Sequence, residues 1–182
     1  MSQNWEAVRN ASRVELVESL SALMDEFSAK CDKRGKEKVF RIHHDGDFFS
    51  RTYADAWATV AKRYPEIHFW AYTRSFVPGA NVIDILADIP NLSLYLSVDE
   101  DNRQWAGIIR EEFPSVRIAF LANTAAEGAD AMREITGTNR PGAACPEVMG
   151  KIPLITADGG ACFSCGLCVK GKADIRFAVS GK

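Results

Sequence analysis

The sequence predicts an α/β protein. About four parallel strands with covering helices form an open sheet or a partial β/α barrel, and a C-terminal cysteine-rich loop lobe follows. Three observations carry this. Strand-like apolar runs recur at intervals of roughly 25 residues with helical periodicity between them, which suits successive βαβ units. Pro or Gly ends most of the helical stretches. From Thr138 the texture changes: Gly, Pro, Ala and Cys dominate as far as Cys168, and helical periodicity stops. The expected organisation is a single domain over 1–182, with an α/β body at 12–137 and a cysteine-rich lobe at 138–182.

Ser12-Arg13-Val14-Glu15 fits a capping box. Beyond it Leu16, Val17, Leu20, Leu23, Met24 and Phe27 recur at helical spacing, predicting an amphipathic helix of about 17 residues. Lys30 to Lys36 forms a polar end, with Gly35 as the stop. Val39 to Ile42 is the first strand. After a polar turn, Ser50 caps a helix with Tyr53, Ala56, Trp57, Val60, Ala61 and Tyr64 on its buried face, stopped by Pro65. Ile67 to Thr73 is the second strand, with its aromatic residues Phe69, Trp70 and Tyr72 expected as core and helix contacts. A short helix over Val82 to Ile89 leads to the third strand, Leu92 to Val98. Asp99 to Phe113 is the next helix, with Trp105, Ile108, Ile109 and Phe113 inward and Pro114 beyond it. Val116 to Leu121 is the fourth strand. Thr124 to Glu127 is a second capping box, opening a helix that Gly137 ends. Asp174 to Val179 alternates with period two and predicts a last short strand.

Chain totals exclude some classes. The 182 residues suffice for one core. A net charge of -2 offers no basic footprint, so no nucleic-acid partner is expected. No apolar run reaches the length of a membrane helix, and the N-terminal residues lack the pattern of a signal peptide. The expectation is a cytoplasmic protein, where clustered cysteines point to metal or redox chemistry more than to structural disulfides.

Cys162, Cys165 and Cys168 stand at C-x2-C-x2-C spacing, and Cys145, followed by Pro146, precedes them with sixteen residues between. Three thiolates so close repel one another unless a cation neutralises them. Four thiolates suit an iron–sulfur cluster, with [4Fe-4S] the expected form and [3Fe-4S] its oxidation product. Zinc is the alternative, although it usually takes two separated C-x2-C pairs. Disulfides or free thiols are the plainer reading. Cys145, the remote ligand, is expected to be the most easily lost. Cys31 stands apart and is expected as a half-buried free thiol at a helix end. Lys170, Lys172, Arg176 and Lys182 flank the cysteines, either as a solvated face or as a basic rim for an acidic partner.

A second constellation, His43-His44-Asp45-Gly46-Asp47, falls at the C-terminal end of the first strand, where parallel sheets bind ligands. Thr73-Arg74-Ser75, Ser97 with Asp99, and Asn123-Thr124 occupy the matching ends of later strands. His43, Asp47 and Arg74 are the catalytic candidates, with loop capping as the plainer reading. No Walker A loop or G-x-G-x-x-G is present.

Two stretches together resemble a phage protein family named after a mycobacteriophage gene product. Arg41-Ile42-His43 through Gly46-Asp47-Phe48, with Tyr53, Trp57 and Tyr72-Thr73-Arg74-Ser75, is similar to its R-I-H-x-x-G-D-F … Y-T-[KR]-S core. Cys145-Pro146, then Cys162 to Cys168 and Ile175-Arg176-Phe177, is similar to its C-terminal end. The resemblance spans about Val39 to Val179; it implies an iron–sulfur cluster and no particular reaction. The combined expectation is a phage-encoded protein binding one [4Fe-4S] cluster and serving a redox partner protein in the host. The alternatives are a cluster-dependent redox enzyme acting on a small anionic substrate through His43, Asp47 and Arg74, and a zinc-stabilised interaction protein.

Overall fold

The computed structural model describes residues 2–156 and 159–178. Its centre is an open, curled parallel sheet of six strands with the order β1-β2-β3-β4-β8-β5. The first four, β1 (Val39–Arg41), β2 (His68–Thr73), β3 (Leu92–Val98) and β4 (Arg117–Ala122), run side by side in sequence order. After β4 the chain skips one place to the edge strand β5 (Ala143–Ala144), and β8 (Ile175–Ala178) returns to fill the gap. The last predicted strand is therefore present, except that Val179 lies outside the described residues.

Local chemistry explains the helices. α1 (Ser2–Asn10), which the sequence reading left unassigned, precedes α2 (Arg13–Arg34). The Ser12 hydroxyl accepts from the Glu15 amide, and the Glu15 carboxylate accepts from the Ser12 amide at 2.8 Å. Gly35 ends α2 in the left-handed conformation, so the helix is 22 residues long. Ser50 caps α3 (Arg51–Arg63), accepting from the Tyr53 amide. α4 (Ile83–Leu86) is a single turn, and α5 (Arg103–Glu112) follows β3. Thr124 and Glu127 form the second capping box, at the start of α6 (Ala125–Thr136). On α5 one expectation fails: Ile108 is 57% exposed. The buried face is centred on Asn102, Ala106 and Ile109, and Ile108 is turned about 100° away from Ile109.

Strand alternation divides the interior into two cores. Phe69 and Ala71 on β2, Leu94 and Leu96 on β3, and Ile118 and Phe120 on β4 pack beneath Leu16, Met24, Trp57, Val60, Ile83, Leu86, Ile109 and Met132. The helices α2 to α6 thus share one face of the sheet. On the other face Trp70, Tyr95, Ala119 and Ile175 pack with Cys168 and Val169, joined by Tyr72, Cys145, Leu167 and Phe177. Of the three β2 aromatics, only Phe69 meets the helices. Trp70 and Tyr72 point the opposite way, against the cysteine segment, because neighbours on a strand face opposite sides. Among the described residues no helix is long and apolar enough to cross a membrane.

Candidate metal centre

The segment between β5 and β8 folds over the sheet face that the helices leave open, and several of its larger apolar residues, Met149, Leu154, Ile155 and Phe163, stay exposed. It contains a two-stranded antiparallel hairpin, β6 (Ile155–Thr156) with β7 (Gly159–Gly160), and the one-turn helix α7 (Ala161–Cys165). The absence of a sequence period here follows from pieces too short to show one.

Sheet groups anchor the segment. The Tyr95 ring is fully buried, and its hydroxyl lies 3.3 Å from the Leu167 carbonyl and 3.0 Å from that of Ala173. The Ser93 hydroxyl meets the Val169 carbonyl at 3.1 Å, and Arg117 Nε donates to the Gly171 carbonyl at 3.0 Å. Gly171 adopts a positive φ, and a Cβ there would lie 2.8 Å from Ser93 Oγ, so the chain touches the sheet where only glycine fits. Cys145 continues the ladder out of β5, its amide donating to the Arg176 carbonyl at 2.9 Å. Within the triplet the Gly166 amide donates to the Cys162 carbonyl at 2.9 Å, closing α7.

This scaffold brings Cys145, Cys162, Cys165 and Cys168 to one cleft, partly open to solvent and otherwise bordered by Pro146, Glu147, Ala161, Leu167 and Ile175. All four thiols are free. Among the described residues no group of three or more His, Cys, Asp or Glu side chains is arranged so that it could hold a metal ion. Cys168 is buried, Cys145 and Cys165 are half-buried, and Cys162 is exposed as a residue while still bordering the cleft. Burial pushes the Cys168 thiol up to about 11, against a lowering from the Tyr72 hydroxyl. Burial also pushes the Cys162 thiol up, while the charge of Arg41 pulls it down. Tyr72 is held well above the ordinary phenol range, first by burial and then by the neighbouring Cys168.

Sequence reasoning did not single out Arg41 as a site residue. Phe40 packs into the helix layer against Phe27, Trp57 and Phe69, so Val39 and Arg41 face the cysteine side. The Arg41 guanidinium carbon lies 5.1 Å from the centre of the Tyr72 ring. A cation among the inward positions of a three-residue strand was the available signal.

His43, Asp47 and Arg74 lie at the predicted C-terminal edge. The Asp47 carboxylate accepts from the Phe48 amide at 2.7 Å, the Thr73 hydroxyl at 2.5 Å and the Arg74 amide at 2.6 Å, tying the loop after β1 to the end of β2. The Arg74 side chain pairs with Asp99 at 2.6 Å, crossing to the end of β3. His43 Nε2 is 3.1 Å from the Tyr53 hydroxyl, and burial lowers its pKa against the opposing charge of Asp47. Cys31 is buried and free in the last turn of α2.

Residues 1–171 match the protein family described as Gene product 88. The chain is 41% identical over 180 residues to the Gene 88 protein of Mycobacterium phage D29, covering 98% of this chain and 70% of that protein. It is 40% identical over 179 residues to the Gene 88 protein of Mycobacterium phage L5, with the same coverage. No solved structure matches.

Proposed function

The chain belongs to the Gene product 88 family, and from that footing we propose that it is a phage-encoded iron–sulfur protein. In this reading Cys145, Cys162, Cys165 and Cys168 hold one [4Fe-4S] cluster, and the protein exchanges electrons with a redox partner protein in the host cytoplasm. The observation that carries the reading is the gathering of all four cysteines at a single cleft, from a strand end and from a separate short loop. Chains that use cysteine for packing alone have no reason to build such a convergence.

The donor set fits a cluster better than one ion. Tetrahedral zinc needs four sulfurs at about 2.3 Å from a single point. Such sites usually draw on two separated C-x2-C pairs, whereas in this triplet Cys165 belongs to both pairs. Four irons spread over a cluster core ask for thiolates at its corners. When bound, the cluster supplies a one-electron couple. The chain's own residues supply the rest. Ile175, Leu167 and Ala161 wall the cleft with apolar surface. The buried Trp70 and Tyr95 keep water from the sheet side. The Tyr72 hydroxyl faces the Cys168 sulfur.

The enzyme alternative draws less support from the geometry. Asp47 accepts three hydrogen bonds that hold two loops, and Arg74 is paired with Asp99, so both have structural work in the absence of any substrate. An electron carrier predicts reversible one-electron reduction in a potentiometric titration of anaerobically prepared protein, read by visible absorption and paramagnetic resonance. A cluster that degrades on its first reduction, with no return of the oxidised spectrum, would overturn the electron-transfer role.

A further inference from the structure

Arg41 presents an unusual combination. It lies on the edge strand of the sheet, facing the cysteine lobe, with its guanidinium over the Tyr72 ring. Its Nε is buried and finds no hydrogen-bond partner among the described residues. It forms no ion pair with a carboxylate among them either; Arg117 and Arg176 share that condition, but each donates to a backbone carbonyl, of Gly171 and Ala125 respectively. A half-buried guanidinium with an empty donor is costly to keep, because a desolvated charge needs a counter-charge. The groups that feel its charge are the Cys162 thiol, the Tyr72 phenol and His43. Glu147, a carboxylate bordering the cysteine cleft, makes no described bond to Arg41.

We infer that Arg41 is the built-in counter-cation of the group held by the four cysteines, and that it sets that group's reduction potential. This inference rests on the cluster reading above. Four thiolates leave a cluster site negative, and one-electron reduction makes it more negative by one unit. A fixed cation whose charge reaches the sulfurs stabilises the reduced state more than the oxidised one, and more strongly inside the fold than in water. The Tyr72 ring holds the guanidinium by a cation–π contact, which fixes its position without neutralising its charge. Arg74, the cation that sequence position alone would select, is already neutralised by Asp99. Arg41 is thus a positioning residue that acts on the cofactor through its charge.

The test is potentiometric titration of wild type, Arg41→Gln and Arg41→Lys, each loaded with iron and sulfide anaerobically and checked for fold by circular dichroism. Arg41→Gln is expected to disfavour reduction by about tenfold, a fall of about 59 mV for one electron. Arg41→Lys keeps the charge and is expected to stay close to wild type. Tyr72→Phe keeps the ring and is expected to leave the Arg41 effect in place. An Arg41→Gln protein that stays folded but no longer retains the cluster, while Arg41→Lys does, also supports the inference. Arg41→Gln with an unchanged potential would overturn it while leaving the cluster reading intact. So would Arg41→Lys falling as far as Arg41→Gln. Wild type that takes up no iron and sulfide would overturn both.

Discussion

Among the four cysteines the residue most exposed to solvent is Cys162, the second residue of a one-turn helix that hangs from a small hairpin outside the main sheet. Cys145 is held on both sides: its amide bonds to Arg176, and its carbonyl accepts from the Met149 amide at 3.1 Å. Distance along the chain had pointed to Cys145 as the weakest ligand. Loop closure depends only weakly on length, about 0.6 kcal/mol per doubling, so local anchoring should dominate over separation. Cys162→Ala is therefore expected to retain a three-iron cluster, and Cys145→Ala to lose most of its iron, as read by paramagnetic resonance of the oxidised variants. The reverse outcome would show that separation governs ligand lability. At this scale the cysteine set was legible because thiol spacing is a chemical pattern in one dimension. Arg41 was not, because a strand's alternation says which residues share a face and not what covers that face.

The elements that could be read were those with a period and a cap. α2, α3 and α6 each begin at the expected Ser or Thr, and β1 to β4 fall where apolar runs predicted them. α7 and the strands β5 to β7 have two to five residues each, too few for any period to appear. The insertion of β8 between β4 and β5 was also illegible, since strand order depends on contacts far apart in sequence. That insertion depends on Gly142. It has φ +70°, and a Cβ there would lie 2.8 Å from the Asp174 carbonyl, just before β8 begins. At Gly137, with φ +62°, a Cβ would meet nothing within 4 Å. Gly137→Ala should cost only left-handed strain, about 1–2 kcal/mol. Gly142→Ala adds a backbone clash and should cost about 1–3 kcal/mol more, while moving β5 and loosening Cys145. Denaturant unfolding of both variants, with iron retention measured alongside, tests this. Equal losses in stability with full iron retention would contradict it.

For the whole molecule the consequence is a division of labour between the two faces of one curled sheet. The helix side carries the larger apolar core. The other face carries a smaller aromatic core against a segment rich in Gly, Pro and Cys, which buries few of its own larger apolar side chains and leaves Met149, Leu154, Ile155 and Phe163 exposed. The α/β class and the parallel sheet were legible because alternating strand and helix periods nearly dictate them. That α2 to α6 would all lie on one side, leaving the other for the cysteine segment, was not, because each helix pattern shows that it has a buried face and not where. A segment of this kind gains its order from a bound metal group more readily than from burial. The most direct measurement is iron, sulfide and zinc analysis of protein purified without oxygen. The account predicts brown protein with about four irons and about four sulfides per chain and little zinc. One zinc per chain with no visible absorption would contradict it.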